Sequence, residues 1–117
     1  MKAFKYIKGS SNEMIANRVF TADNFLQRLF GLLFKNPLND GEALLIRGCT
    51  SIHTIGMRYN VDAVFIDERG TVLSTFKDIP PWRFTPYIRG ARSVIEFSSG
   101  LLKEKSLNEG DKIIFVQ

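Results

Sequence analysis

Cys49 and His53 are the only cysteine and the only histidine of this 117-residue chain, and they lie four residues apart in the stretch "CTSIHTIGMRYNVDAVFID", residues 49–67. An imidazole next to a thiol favours the thiolate, and the pair catalyses acyl transfer when a third group orients the ring. Asp62 is the candidate for that third group. The competing interpretation is that Cys49 is a small core residue and His53 a structural hydrogen-bonding group. The residue types leave open whether the chain is a small enzyme of the hydrolase or acyl-transfer type.

The same two residues are also candidate metal ligands, because their spacing places them on one side of either a helix or a strand. A structural zinc site needs four protein ligands, and a catalytic site usually needs three. Asp62 and Glu96 would have to complete the set, since the sequence contains no second histidine. We therefore predict no metal site, and nothing in the sequence indicates a cofactor.

A third interpretation is a polar binding cleft. Asp62 is the second residue of an apolar strand, and a carboxylate in that position needs a partner or a place at the rim of the sheet. Arg58 lies just upstream, so a charge pair with Asp62 is expected. That pair either holds a loop on the sheet or forms part of a ligand site. The cleft is predicted around residues 49–62 and the loop of residues 78–92. Its predicted ligand-binding residues are His53, Thr54, Arg58, Asp62 and Arg89.

The charge distribution indicates the partner. The net charge is +4, and the segment from Lys77 to Arg92 contains four basic residues and one acid, Asp78. This balance favours a small anionic ligand or an acidic protein surface. Elsewhere, basic and acidic residues alternate without the length of a nucleic-acid-binding arm, so we expect no nucleic acid partner. Trp82 and Phe84 are expected to hold this long loop on the domain, because a loop of its length needs packing to be ordered.

The size and composition predict one domain, residues 1–117, with an ordinary globular core. A single cysteine excludes an internal disulfide framework. The N-terminal residues lack the apolar core of a signal peptide, and no apolar run approaches the roughly 20 residues that a membrane span requires. These features predict a cytoplasmic protein without a membrane partner, and they do not predict an oligomeric state.

Hydrophobic periodicity predicts an α+β domain that is rich in strands, with a mainly antiparallel, curled or barrel-like sheet and two short helices. Six or seven short strands are expected, including one in "NEMIANRVFTA" and a hairpin over residues 61–77. The first helix is predicted over residues 22–30, with Phe25, Leu26, Leu29 and Phe30 on one face. The second helix is predicted in "SGLLKEKSL".

Four motifs make the chain resemble the family called domain of unknown function 192, from about Ala16 to Val116. The motifs are "RLFGLLF", "CTSIHTIGMRYNVDAVFID", "GARSVIEFSSG" and "EGDKI". Within the second motif, Cys49, Ser51, His53, Thr54 and Gly56 resemble one branch of that family. The resemblance implies a strand-rich α+β fold in prokaryotic proteins and marks residues 49–62 as the special feature, and it implies no particular activity.

Overall fold

The computed structural model describes residues 1–24 and 37–117, which form eight strands and one short helix. The sequence predicted six or seven strands. The strands are β1 (Lys2–Lys5), β2 (Glu13–Ala16), β3 (Arg18–Ala22), β4 (Glu42–Arg47), β5 (Val61–Ile66), β6 (Val72–Ile79), β7 (Ser93–Ser98) and β8 (Ile113–Val116). The helix, α1, is Leu101–Glu104.

The strands form two sheets. One has five strands in the order β3-β4-β7-β5-β6, and the other has three strands in the order β2-β1-β8. All neighbouring strands are antiparallel except β3 and β4, which are parallel. The strand-rich, mainly antiparallel architecture is therefore confirmed. The barrel-like closure is wrong, because the strands divide between two sheets that do not form a closed barrel.

The core lies on both faces of the five-stranded sheet. All six residues of β5 are buried, and alternate side chains point to opposite faces. Val64 and Ile66 pack in one apolar cluster with residues of the three-stranded sheet. Val61, Ala63 and Phe65 pack in a second cluster under the loop that follows β4. This two-sided burial explains why the sequence of β5 is almost continuously apolar.

The predicted hairpin is confirmed, since β5 pairs with β6. In the turn, the Asp67 carboxylate accepts hydrogen bonds from the backbone N–H groups of Arg69 at 2.8 Å and Thr71 at 3.0 Å. Gly70 has a φ of +84°, and a Cβ there would lie 2.5 Å from the carbonyl oxygen of Ile113. The turn therefore requires glycine both for its conformation and for the close approach of β8.

Two predictions of local structure are corrected. The single strand predicted in "NEMIANRVFTA" is two strands, β2 and β3, which are separated at Asn17 and belong to different sheets. Of the helix predicted over residues 22–30, Ala22 ends β3 instead, and residues 25–30 lie outside the described residues. The second predicted helix is present as α1 and is the one helix among the described residues. No helix in that part of the chain has the length and apolarity to cross a membrane.

Candidate functional site

Thr54 connects two of the loops that link strands of the five-stranded sheet. We call them the 48–60 loop, between β4 and β5, and the 80–92 loop, between β6 and β7. The Thr54 hydroxyl donates to the carbonyl of Pro80 at 2.7 Å and accepts from the N–H of Arg83 at 2.9 Å. Its backbone N–H donates to the carbonyl of Arg83, and its carbonyl accepts from the N–H of Trp82. Thr54 is fully buried, and its hydroxyl and backbone groups form hydrogen bonds between the two loops.

A second set of hydrogen bonds extends this joint. The N–H of Thr85 donates to the carbonyl of Ile52 at 2.9 Å, and the Thr85 hydroxyl accepts from the N–H of Ile52 at 2.9 Å. Further along, the N–H of Ile88 donates to the carbonyl of Thr50 at 2.8 Å. The 80–92 loop is therefore fixed to the 48–60 loop along its length through backbone and threonine groups.

His53 is placed at this joint beside Phe84. The two residues form an isolated antiparallel bridge, and their ring centroids are 5.9 Å apart. The Nδ1 atom of His53 accepts a hydrogen bond from the N–H of Ile55 at 3.3 Å. A ring nitrogen that accepts carries no proton, so a neutral His53 has its proton on Nε2. The structure thus brings His53 and Thr54 together with the 80–92 loop.

The joint leaves the large side chains of the 80–92 loop on the outside. Trp82, Phe84 and Tyr87 are 65%, 72% and 70% exposed, and Arg83 and Arg89 of the same loop are exposed as well. We call these five residues the aromatic–arginine surface. The prediction that Trp82 and Phe84 hold the loop in place is wrong, because hydrogen bonds from Thr54 and Thr85 do so.

Trp82 also has an unusual backbone. Its φ is +65°, in the left-handed region that bulky residues seldom adopt. Such a conformation costs about 1–3 kcal/mol and persists only when the surroundings impose it. Here the N–H groups of Trp82 and Arg83 are both bound by Thr54. The only tryptophan of the chain therefore has a strained backbone, while its side chain projects into solvent.

Cys49 lies in the apolar cluster beneath the 48–60 loop and is 5% exposed. Its thiol donates a hydrogen bond to the carbonyl oxygen of Ser51 at 2.9 Å. Reactive cysteines lie in partly exposed, electropositive surroundings, whereas buried structural cysteines are inert. The position of Cys49 is thus that of a small core residue.

Asp62 is buried and accepts hydrogen bonds from three backbone N–H groups. Its Oδ1 atom accepts from Asp78 at 2.7 Å, and its Oδ2 atom accepts from Leu102 at 2.8 Å and from Gly100 at 3.2 Å. The carboxylate therefore connects the end of β6 to the first turn of α1. Backbone donors satisfy a buried carboxylate without the cost of burying a second charge.

The expected charge pair between Arg58 and Asp62 is not formed. Arg58 is exposed on the 48–60 loop, and the ion pairs among the described residues do not include it. The sequence showed that the Asp62 carboxylate needs a partner, but it pointed to the wrong one. The true donors come from residues 16 to 40 positions further along the chain, at a distance that the local sequence does not reveal.

Asp78 is bound to Asp62 through its backbone N–H, and the sequence did not predict this contact. Its φ is +53°, which directs its N–H towards Asp62. Its exposed carboxylate accepts hydrogen bonds from the Ser99 hydroxyl at 2.5 Å and from the Asn60 amide at 2.8 Å. These bonds, that of Ser99 first, lower the pKa of Asp78 from its usual value. The signal available in the sequence was an aspartate at a strand end, since Asp tolerates left-handed backbone.

Beside this junction is a cavity of about 270 Å³. Its lining comprises Asp62, Lys77, Asp78, Ser99, Gly100 and Lys103. Two lysines and two aspartates balance one another there, so the cavity has no marked preference for either sign of charge. Among the described residues, no group of three or more His, Cys, Asp and Glu side chains is placed to hold a metal ion.

Comparisons with known proteins identify a family and several relatives. The model of the family DUF192, described as "Uncharacterized ACR", matches residues 7–115. A UPF0127 protein of Pyrococcus abyssi is 33% identical over 105 residues, which cover 85% of this chain and 86% of the relative. A UPF0127 protein of Pyrococcus horikoshii is 33% identical over 111 residues, covering 92% and 95%.

Two solved structures have a fold similar to that of this chain. A protein of unknown function from Novosphingobium aromaticivorans superposes with a TM-score of 0.77 at 16% identity, over 98% of this chain and 84% of the other. A Sinorhizobium meliloti protein proposed to be a transcription regulator has a TM-score of 0.77 at 17% identity, over 97% and 91%. At these identities the likeness shows the fold alone.

Proposed function

This chain belongs to the DUF192 family, and from that premise we propose that it is a binding module whose aromatic–arginine surface captures an acidic segment of a partner protein. The observation that carries the proposal is the exposure of Trp82, Phe84 and Tyr87 on a loop whose backbone is fixed from below. Of the predicted ligand-binding residues, Arg89 belongs to this surface, His53 packs on Phe84, and Thr54 supports the loop.

The residue types of the surface suit a protein partner. Large exposed apolar side chains mark interaction sites when they are grouped. Tryptophan, tyrosine and arginine contribute most of the binding energy in protein interfaces, because each offers a large contact area together with a polar or charged end. The aromatic–arginine surface contains two of these aromatics and two arginines within eight residues of sequence.

The charge of the surface selects an acidic partner. Its two basic residues are Arg83 and Arg89, and the sequence contains no acid from residue 79 to residue 95. Arginine side chains pair with carboxylates through two parallel hydrogen bonds, so they favour a segment that carries Asp or Glu. Positive charge also raises the rate of encounter with such a segment.

The fixed backbone strengthens binding and favours an extended partner over a small ligand. A loop that is already ordered loses less conformational entropy when a partner binds. Small ligands are usually bound in concave sites that bury most of their surface, whereas these aromatics project into solvent with about two thirds of their area accessible. The carboxylates of the partner would approach Arg83 and Arg89 while its apolar side chains contact the rings.

Trp82 allows a direct test, because it is the only tryptophan of the chain and lies within the proposed surface. The intrinsic fluorescence of the whole protein is followed while acidic peptides that contain Leu, Phe or Tyr are added. We expect a saturable blue shift with the acidic peptides and none with matched peptides in which Gln and Asn replace Glu and Asp. Arg83→Glu together with Arg89→Glu should abolish the shift.

Phe20 provides the matched control. It is also an exposed aromatic beside an arginine, since the Arg18 guanidinium lies 4.7 Å from its ring centroid, but it belongs to β3. Phe20→Ala should bind the peptides like the original protein. If it weakens binding as much as Phe84→Ala does, the proposed surface is wrong. A shift caused equally by free glutamate or acetate would indicate a small anionic ligand in place of a protein segment.

The rate at which Cys49 reacts with a thiol reagent distinguishes the enzyme hypothesis from the binding module. A catalytic thiol should react quickly with a thiol reagent near neutral pH. Because Cys49 is 5% exposed and donates a hydrogen bond to Ser51, we expect slow modification in the folded protein and rapid modification in denaturant. Rapid modification of the folded protein, with a pH dependence that follows a lowered thiol pKa, would favour the enzyme.

A further inference from the structure

A larger cavity, of about 410 Å³, lies where β4 and β5 end and β7 begins, beside the turn of residues 67–70. No residue of the aromatic–arginine surface lines it. Three arginines contribute to its wall, namely Arg47, Arg69 and Arg92. Its apolar lining comprises Leu45, Ile66, Ile113 and Phe115. The cavity therefore combines cationic groups with an apolar surface.

The backbone at each of the three arginines is fixed by the sheet or the turn. The carbonyl of Arg92 accepts from the N–H of Gly48 at 2.7 Å, and its N–H donates to the carbonyl of Ile66 at 2.9 Å. Arg47 is paired with Ser93 between β4 and β7. The N–H of Arg69 donates to the Asp67 carboxylate at 2.8 Å. The three side chains thus start from fixed positions around one cavity, which lowers the entropic cost of binding there.

The nearby acids neutralise these arginines weakly. The Asp67 carboxylate is occupied by the backbone of its own turn. Glu68 lies 3.9 Å from Arg92, and the two side chains are 70% and 68% exposed. Arg47 is 3.4 Å from Asp23, again with both side chains more than half exposed. Ion pairs as exposed as these are weak and screened by salt.

Arg69 differs from the other two arginines in its ion pairing. None of the ion pairs among the described residues includes it. Its guanidinium sits on a turn that is held by Asp67 and Gly70, with Arg92 lining the same cavity. A doubly charged anion that both guanidinium groups contact would be bound by two charged donors at once.

We propose that this cavity binds a small phosphate-bearing molecule. The phosphate group takes paired hydrogen bonds from Arg69 and Arg92, displacing Glu68 from Arg92. Arg47 adds positive charge, and the half-buried ring of Phe115 contacts the carbon skeleton of the ligand. The site shares no residue with the aromatic–arginine surface, so it stands or falls independently of the proposed function.

The test is calorimetric titration of the full chain at low salt with three probes: phenyl phosphate, inorganic phosphate and phenol. We expect phenyl phosphate to bind more tightly than inorganic phosphate, because only the ester has an apolar part, and phenol to show no binding. Arg69→Gln and Arg92→Gln should each weaken the binding of phenyl phosphate about tenfold, as expected for the loss of a charge-assisted hydrogen bond. Glu68→Gln should tighten it severalfold by removing the competing carboxylate.

Arg18→Gln is the matched control, since it removes one positive charge from β3 without touching the cavity or the aromatic–arginine surface. It should leave the affinity unchanged. An equal loss in Arg18→Gln and Arg69→Gln would mean that phosphate responds only to net charge, which would overturn the site. The site would also be overturned if neither phenyl phosphate nor inorganic phosphate showed saturable binding. Tighter binding of succinate than of phenyl phosphate would overturn it too, because the ligand would then be a carboxylate.

Discussion

Asp62 and the 80–92 loop both reverse the usual distribution of polar and apolar side chains, and they do so in opposite ways. At Asp62 a charged side chain is buried, at 1% exposure, whereas Trp82, Phe84 and Tyr87 are apolar and mostly exposed. The first reversal is explained within the chain, because three backbone N–H groups bind the carboxylate. The second is not, since the described residues leave these rings uncovered. A reversal without an internal explanation indicates a function.

The largest effect is expected from Asp62→Ala. The substitution leaves the N–H groups of Asp78, Gly100 and Leu102 without their acceptor. We expect the free energy of unfolding to fall by about 3–5 kcal/mol, because several buried donors lose their partner together. Denaturant titration measures this loss. Arg58→Ala is the control and should leave the free energy of unfolding nearly unchanged. If it lowers that free energy as much as Asp62→Ala does, Arg58 and Asp62 form the charge pair that the sequence predicted.

A somewhat smaller effect is expected from Thr54→Val, which keeps the shape of the side chain but removes its hydroxyl. The carbonyl of Pro80 and the N–H of Arg83 then lose a buried partner. We expect the free energy of unfolding to fall by about 2 kcal/mol, and the emission of Trp82 to change as the loop loosens. Thr54→Ser retains the hydroxyl and should recover the emission spectrum. If Thr54→Val leaves both stability and emission unchanged, Thr54 does not hold the loop.

The strands were largely predictable from the sequence. Alternation and apolar runs predicted β5, β6 and the turn between them, because burial on the faces of a sheet imposes that pattern. The break at Asn17 was missed, since apolar pairs lie both before it (Met14 and Ile15) and after it (Val19 and Phe20), and the two strands differ in their pairing. Sequence patterns record which side chains are buried, and they do not record which sheet a strand joins.

The candidate site was less predictable. The pairing of His53 with Phe84 and the support from Thr54 both depend on hydrogen bonds between segments about 30 residues apart. The exposure of Trp82 follows from those bonds, whereas the sequence favoured burial for a residue of its size. The sequence did locate the segments that meet, residues 49–62 and the 80–92 loop, through their residue types and charge.

The next prediction concerns pH and tests how the Asp62 junction is held. Hydrogen bonds from Ser99 and Asn60 lower the pKa of Asp78 in the folded protein below its ordinary value of 3.8. A lowered pKa means that the unfolded state takes up the proton first, so this contribution to stability is present above pH 3.8 and is lost as the pH falls below it.

Unfolding measured from neutral pH to strongly acidic pH should therefore show that Ser99→Ala reduces the loss of stability below pH 3.8. Ser10→Ala, at an exposed turn far from Asp78 in the sequence, is the matched control and should keep the full loss. Identical pH profiles for Ser99→Ala and the unmodified protein would mean that the Ser99 hydrogen bond does not stabilise the ionised form of Asp78.

The smallest effect is expected at Trp82, and it decides whether the exposed loop is organised for stability or for binding. Because Trp82 has a φ of +65°, a residue that tolerates left-handed backbone should relieve strain. We expect Trp82→Asn to raise the free energy of unfolding by about 0.5 kcal/mol, and Trp82→Val, with a branched Cβ, to lower it by about 1 kcal/mol. Denaturant titration of the two variants measures both changes.

The binding of acidic peptides to Trp82→Asn is then measured by calorimetry. If this variant is more stable but no longer binds the peptides, the tryptophan is retained for binding although it destabilises the fold. If Trp82→Asn instead destabilises the protein as much as Thr54→Val does, the ring packs on the domain, and the contrast between Asp62 and the 80–92 loop does not hold.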